Sequence, residues 1–403
     1  MGFFDKVKEA GKRMEVGPEH DIRQREDRLV RYFEKYMKQF IFVEFSEGYL
    51  KRNGITDIMK GVPIPLRKED VEQFKSPKGV PNLVLAENIS WVIGCNPHFK
   101  YTANYVDYLK KIYNHKLWEG MLKKGRDAAE RGEMEEACIK FRSTLCFQPD
   151  YLHGMYSYAR ACRELYNNSD DKEYVGRVKA ESLEYFEMIT LFHPKFAQAY
   201  YYLGYAYLNM GLYKKAELTW EFFNKISRNS KDIKEIRSRI EQIREPVKIE
   251  EGCNAVLAGR FAEGINILEP FLRTKFNDWW PLYYYLGVAY ERTGKSDVAV
   301  DLFKNALKLN PSHIETMLEL ADIYRATGDM EKVNKFEKKA KMLQVEFEGK
   351  NKDNKEAESR SQSESGGFNV PGSVLIHKPK RLGKVVDYDT NSMSSDISDP
   401  ETE

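Results

Sequence analysis

The sequence lacks a dominant charge: its 403 residues carry 64 Lys and Arg against 62 Asp and Glu. A nucleic-acid surface normally shows as a basic excess, so no nucleic-acid partner is expected. Long apolar runs are missing too. No stretch approaches the roughly 18 apolar residues of a membrane span. Residues 1–27 are charged throughout and hold no apolar core of the kind a secretory signal needs. Gly2 opens a myristoylation-like start, but Lys6 stands where that signal wants Ser or Thr. A soluble, cytoplasmic protein is therefore expected. The five cysteines, Cys95, Cys138, Cys146, Cys162 and Cys253, are odd in number, widely spaced and without a CxxC. Neither a disulfide framework nor a zinc site is expected of them; reduced, half-buried thiols are.

Motifs for chemistry are equally scarce. The seven histidines, His20, His98, His115, His153, His193, His313 and His377, never pair at metal-ligand spacing. No HExxH, GxGxxG, GxxxxGKS or GxSxG occurs. Carboxylate neighbours such as Glu135 and Glu136 read as solvated helix faces. No catalytic residue, cofactor or metal is expected, and the chain is read as a non-enzyme.

Aromatics, by contrast, are plentiful: 25 Tyr and 22 Phe. Residues 1–17 form a short amphipathic segment, with Phe3, Val7, Ala10 and Met14 on one face. It suits peripheral membrane contact or a partner's groove, while docking on the protein's own body, or a frayed terminus, is the plainer reading. Residues 18–117 read as a helical N-terminal domain. Helix with little interruption is expected over 18–53, although Ile41-Phe-Val-Glu-Phe is locally strand-like. Pro63 and Pro65 make an extended connector, and helices are expected near 68–74, 82–93 and 102–115. This domain reads as a cap over the open first face of the repeats that follow.

Those repeats are clearest in Trp280–Pro311, where two amphipathic helices meet at Thr293-Gly294-Lys295. Gly287 and Ala299 sit where the helices would touch, and Tyr283, Leu286, Tyr290 and Phe303 fill the space around them. Five further copies lie in register from residue 118. They carry Gly125, Gly132, Ala137, Phe141 and Pro149; Ala159, Ser182, Phe186 and Pro194; Gly204, Gly211, Ala216 and Trp220; Gly252, Gly259 and Leu268; and Leu320, Ala321, Gly328 and Ala340. An insertion near 167–179 interrupts the second copy. The Ile233, Ile236, Ile240 and Ile243 stripe marks an extra helix near 231–244.

Residues 118–346 thus resemble the tetratricopeptide repeat family in six copies, a register that chance does not repeat. The resemblance implies an all-α fold: a TPR-like helical-hairpin superhelix (α-solenoid) after the helical N-terminal domain. Residues 347–403 are polar and charged and read as a disordered tail. Val370–Ile376 is apolar, and Ser394, Ser395 and Ser398 sit among acidic residues. This suits a docking motif tuned by phosphorylation, or a tail lying in the groove of its own repeats.

The family's first helices line a concave face whose exposed positions choose the ligand. By register these are Arg126, Tyr156, Arg160, Arg163, Tyr201, Tyr205, Leu208, Tyr284, Asp322 and Arg325. Aromatic and arginine side chains are favoured interface anchors. Packing against adjacent repeats is the competing reading for each tyrosine. Some members hold a peptide's C-terminal carboxylate with Lys and Asn at fixed places. Here those places carry Leu122 and Arg126, then Tyr201 and Tyr205, so that clamp is unmatched. The expected function is a scaffold or adaptor that binds a peptide segment or helix of a protein partner. The alternatives are a peptide-sensing regulator whose N-terminal domain controls a signalling partner, and an enzyme housed in residues 18–116.

Overall fold

The computed structural model describes residues 17, 19–75, 80–113 and 117–359. By its contacts the chain forms two compact units, divided between Leu203 and Gly204.

The first unit opens with short elements. They are α1 (Val30–Phe33), a 3-10 turn (Glu34–Gln39), β1 (Phe40–Val43), α2 (Glu47–Arg52), α3 (Thr56–Met59), β2 (Ile64–Arg67) and α4 (Asp70–Lys75). The helix expected over 18–53 is therefore broken. Phe40, Ile41, Phe42 and Val43 favour a strand. Ser46 then starts a new helix by accepting the Tyr49 N–H at 3.3 Å. β1 pairs antiparallel with β2, Phe40 opposite Arg67 and Val43 opposite Ile64. Pro65 is tolerated because, among the described residues, β1 and β2 are both edge strands of a two-stranded sheet. Two longer helices follow, α5 (Asn82–Cys95) and α6 (Thr102–Ile112).

Then come the hairpins: α7 (Leu117–Glu130) with α8 (Met134–Phe147), and α9 (Leu152–Asn167) with α10 (Lys172–Phe192). The extra residues of the second copy prove to be mostly helix. Asp171 accepts the N–H groups of Glu173 and Tyr174 at 3.0 and 3.2 Å, so α10 begins at Lys172 and is a lengthened second helix.

The N-terminal elements do more than cover the first hairpin. A Cβ on Gly94 would lie 2.1 Å from the Ile139 carbonyl oxygen, so α5 and α8 touch backbone to backbone. Arg142 of α8 is fully buried and donates to the Gly94 carbonyl at 2.7 Å. Its Nη1 also donates to Asp27 at 3.0 Å and to the Tyr158 hydroxyl at 3.2 Å. Arg25 and Arg28 reach on to Glu181 and Glu184 of α10. The expected cap thus runs along the second helices of two hairpins. Buried Arg142 and Glu181 need opposite charge there, and residues 25–28 supply it.

The division between the units falls inside α11 (Ala197–Asn209), which α12 (Tyr213–Ile226) follows. The second unit continues through α13 (Ser230–Leu257), α14 (Phe261–Leu268), a 3-10 turn (Glu269–Arg273), α15 (Trp280–Arg292), α16 (Ser296–Leu309), α17 (Ile314–Ala326) and α18 (Met330–Ser359). The extra helix expected near 231–244 is not separate. It runs through Pro246 into the fourth hairpin as one 28-residue helix. Burial of Pro246, Val247 and Ile249 offsets the hydrogen bond the proline removes.

Hairpin packing follows the glycines. A Cβ on Gly125, Gly204, Gly252 or Gly287 would come within 2.1–2.6 Å of Phe141, Trp220, Leu268 or Phe303 respectively. Seven residues after each stands the turn glycine, Gly132, Gly211, Gly259 or Gly294, with φ between 76° and 82°. Only glycine takes that conformation freely, so each hairpin reverses at the same step. All five cysteines are free and fully buried rather than half-buried. α18 continues to Ser359, past residue 346 where the repeats were expected to end. Residues 360–403, which hold most of the expected tail, lie outside the described residues, as do 1–16 of the amphipathic segment. Among the described residues no helix is long and apolar enough to cross a membrane.

Candidate peptide-binding surfaces on the first helices

In the first unit, α9 and the start of α11 bring several of the expected residues together. The Arg160 guanidinium lies 5.7 Å from the Tyr156 ring centroid and 5.4 Å from that of Tyr202. Arg163 lies 5.6 Å from the same Tyr202 ring. Tyr202 stacks on Phe186 at 5.4 Å and 14°, and Tyr201 meets its edge at 5.1 Å. Two cations are thus close to one tyrosine. Arg160, Arg163 and Tyr201 are half-buried, whereas Tyr156 is 3% exposed and enclosed by Phe196 and Tyr202. Arg126, on α7, is half-buried, and its Nε and Nη2 meet no acceptor among the described residues. Desolvation lowers its pKa, with Tyr151 pulling the other way. An arriving carboxylate would relieve that penalty.

In the second unit Tyr205 is 6% exposed. Its hydroxyl donates to Glu235, its ring packs on Trp220 at 4.9 Å, and Arg239 lies 6.0 Å from the ring centroid. The long α13 covers it, while Leu208 is half-buried. Tyr284 borders a cavity of about 560 Å³, lined among others by Leu257, Trp280, Val288, Arg292 and His313. His313 packs at a tilt against Trp280 at 4.2 Å and edge-on against Tyr284 at 4.8 Å. Its Nδ1 accepts the Thr316 N–H at 3.2 Å and so caps α17. Burial lowers the His313 pKa, and Glu315, 3.2 Å from Nε2, opposes this. Asp322 and Arg325 are exposed and paired with each other, and Arg325 also pairs with Glu337.

Sequence reasoning missed Tyr202, Trp280, Arg292 and His313. Tyr202 stands in a run of three tyrosines, and only the observed helical phase shows which one faces the arginines. Trp280 and His313 come from successive hairpins, a pairing that register alone does not reveal. Among the described residues no three His, Cys, Asp or Glu side chains are grouped to hold a metal.

The successive hairpins and their paired glycines define a tandem helical-hairpin protein. Residues 280–313 match the family model of the tetratricopeptide repeat, so the chain contains that repeat. No curated protein sequence matches the chain. Among solved structures it is similar to the TPR domain of P58(IPK), at 20% identity over 60% of this chain and 66% of that one, just under two thirds, with a TM-score of 0.33. It is similar to MamA from Desulfovibrio magneticus RS-1, at 17% identity over 47% of this chain and 96% of that one, with a TM-score of 0.28. A tetratricopeptide repeat protein from Parabacteroides merdae ATCC 43184 is 15% identical over 64% of this chain and 93% of that one, with a TM-score of 0.28.

Proposed function

We propose that this is a non-catalytic, cytoplasmic scaffold that binds a peptide segment or helix of a protein partner on its first helices. The observation that carries the reading is the cluster in the first unit, with Arg160 and Arg163 both close to the Tyr202 ring. Cations set on a tyrosine ring lose little freedom when they bind, and they suit an acidic segment bearing an aromatic or apolar side chain. Arg126, with donors unmet, adds to that preference.

A second reading has its own support. The Asp27–Arg142 and Arg25–Glu181 pairs tie the N-terminal elements to the same hairpins. Peptide binding there would be felt by the N-terminal part, as a regulator requires.

The test is display selection of peptides against the full chain, followed by direct titration of the selected peptides. Acidic peptides are expected, losing about tenfold or more in affinity with Arg160→Ala plus Arg163→Ala, in line with loss of charge-assisted contacts. Circular dichroism checks folding. Selection without acidic enrichment, or equal binding by the double variant, would refute the assignment.

A further inference from the structure

Between its N-terminal elements and its first hairpin, the first unit holds a polar cleft of about 460 Å³. β2 contributes Arg67, α5 contributes Glu87 and Trp91, α7 contributes Lys124, and α8 contributes Glu136 and Lys140. Its cations are unequally matched. Lys124 is ion-paired with Glu87. Among the described residues Arg67 has no ion pair; its guanidinium rests 5.9 Å from the Phe40 ring centroid, and its Nε is buried without an acceptor. Lys140 lies 3.8 Å from Glu136, beyond hydrogen-bond reach, and 4.7 Å from the Trp91 ring centroid. The indole Nε1 of Trp91 is likewise buried without an acceptor.

We propose that this cleft is a binding site for a phosphate-type dianion, held by Arg67, Lys140 and the Trp91 N–H. The argument is one of charge and donors. The lining carries four cations, Arg67, Lys124, Arg131 and Lys140, against three carboxylates, Glu87, Asp127 and Glu136. Among the described residues Arg67 has no ion pair and Lys140 only the loose one to Glu136, and a phosphate offers several acceptor oxygens at once. The state of Lys140 agrees. Burial lowers its pKa, and Lys124 and Arg67 push it further down while Glu136 and Glu87 oppose. A dianion among these groups reverses that balance. A free phosphate ester and a phosphorylated lipid headgroup present the same chemistry.

The test titrates the full chain with inorganic phosphate, with O-phosphoserine, and with phosphatidylcholine vesicles containing phosphatidic acid. Saturable binding is expected, weakened about tenfold or more in Arg67→Gln and in Lys140→Gln, as for lost charge-assisted contacts. Response to the soluble ions alone places the source in solution, and response to vesicles alone places it in a headgroup; either supports the site. A second readout uses the unsubstituted chain, following Lys140 as its NMR-visible dimethyl derivative, whose pKa should rise when phosphate is added. No saturable binding to any of the three probes overturns the proposal. So does equal binding by both folded variants, or a Lys140 pKa that phosphate leaves unmoved.

Discussion

Removing the Asp27 carboxylate should loosen the first unit far more than an ordinary surface change. Arg142 is completely buried, and the side chain of its partner Asp27 is 3% exposed. Stripping one partner from such a pair leaves an uncompensated buried charge, a loss of about 3–5 kcal/mol. Arg142 keeps its bonds to the Gly94 carbonyl and the Tyr158 hydroxyl, so the lower end applies to Asp27→Ala. Amide hydrogen exchange in α8 is the assay, because it reads local opening in a chain of two units. About 3 kcal/mol is roughly a hundredfold loss of protection. Arg142→Met placed on top of Asp27→Ala should restore most of it, since an apolar side chain of similar volume needs no counter-ion. The pair also sets a pH dependence. Burial raises the Asp27 pKa, but the Arg142 charge, its hydrogen bonds and the Leu29 N–H outweigh this and hold it below the usual value. Its stabilisation is therefore full above about pH 3.9 and disappears as pH falls through the lower folded value. A loss under about 1 kcal/mol, or a double variant no better than Asp27→Ala, would refute the reasoning.

Two other perturbations test the hairpin packing and the second unit. Gly287→Ala puts a Cβ 2.6 Å from the Phe303 ring and should cost about 1–3 kcal/mol in chemical unfolding. Gly120→Ala, with nothing within 4 Å of the added atom, should instead stabilise by about 0.5–1 kcal/mol; equal effects would count against the glycine contacts. Burial holds the His313 pKa below its ordinary value, so the unfolded chain takes up that proton first as pH falls below about 6.5. Exchange protection in α17 should accordingly fall over that window in the native chain and stay flat in His313→Asn. Parallel profiles would remove His313 as the cause.

What was legible in the sequence was whatever a single hairpin determines by itself. Gly287 and Phe303, or Gly204 and Trp220, stand in one helical pair, so a fixed spacing along the chain is enough to display their contact. Lengthened elements were legible in amount but not in form. Nothing local says whether 231–244 ends before Pro246 or continues through it, because the outcome rests on the burial of Pro246, Val247 and Ile249. The strand at Phe40–Val43 was visible only as a local preference, since its partner Ile64–Arg67 lies across two intervening helices. The surface residues divide in the same way. Register found Arg160 and Arg163, whereas Tyr202 required the phase of α11, and α13 covers Tyr205 from outside its own hairpin.

The buried charges also decide how the functional readings can be separated. Cutting the chain at residue 117, to ask whether the repeats bind alone, removes Asp27 from Arg142 and Arg25 from Glu181. The buried charges left behind, Arg142 and Glu181, lie on second helices, α8 and α10, whose partner first helices, α7 and α9, carry Arg126, Arg160 and Arg163. A fragment of 118–346 that fails to bind peptide would therefore report a damaged scaffold as readily as a missing N-terminal role. Arg142→Met and Glu181→Gln in the same fragment remove the two fully buried stranded charges, leaving the part-exposed Glu184, without touching the candidate surface. If that repaired fragment binds peptide as tightly as the full chain, the first helices act alone and the scaffold reading holds. If it folds, by exchange protection in α8 and α10, and still does not bind, the N-terminal elements contribute to recognition itself, which is what the regulatory reading requires.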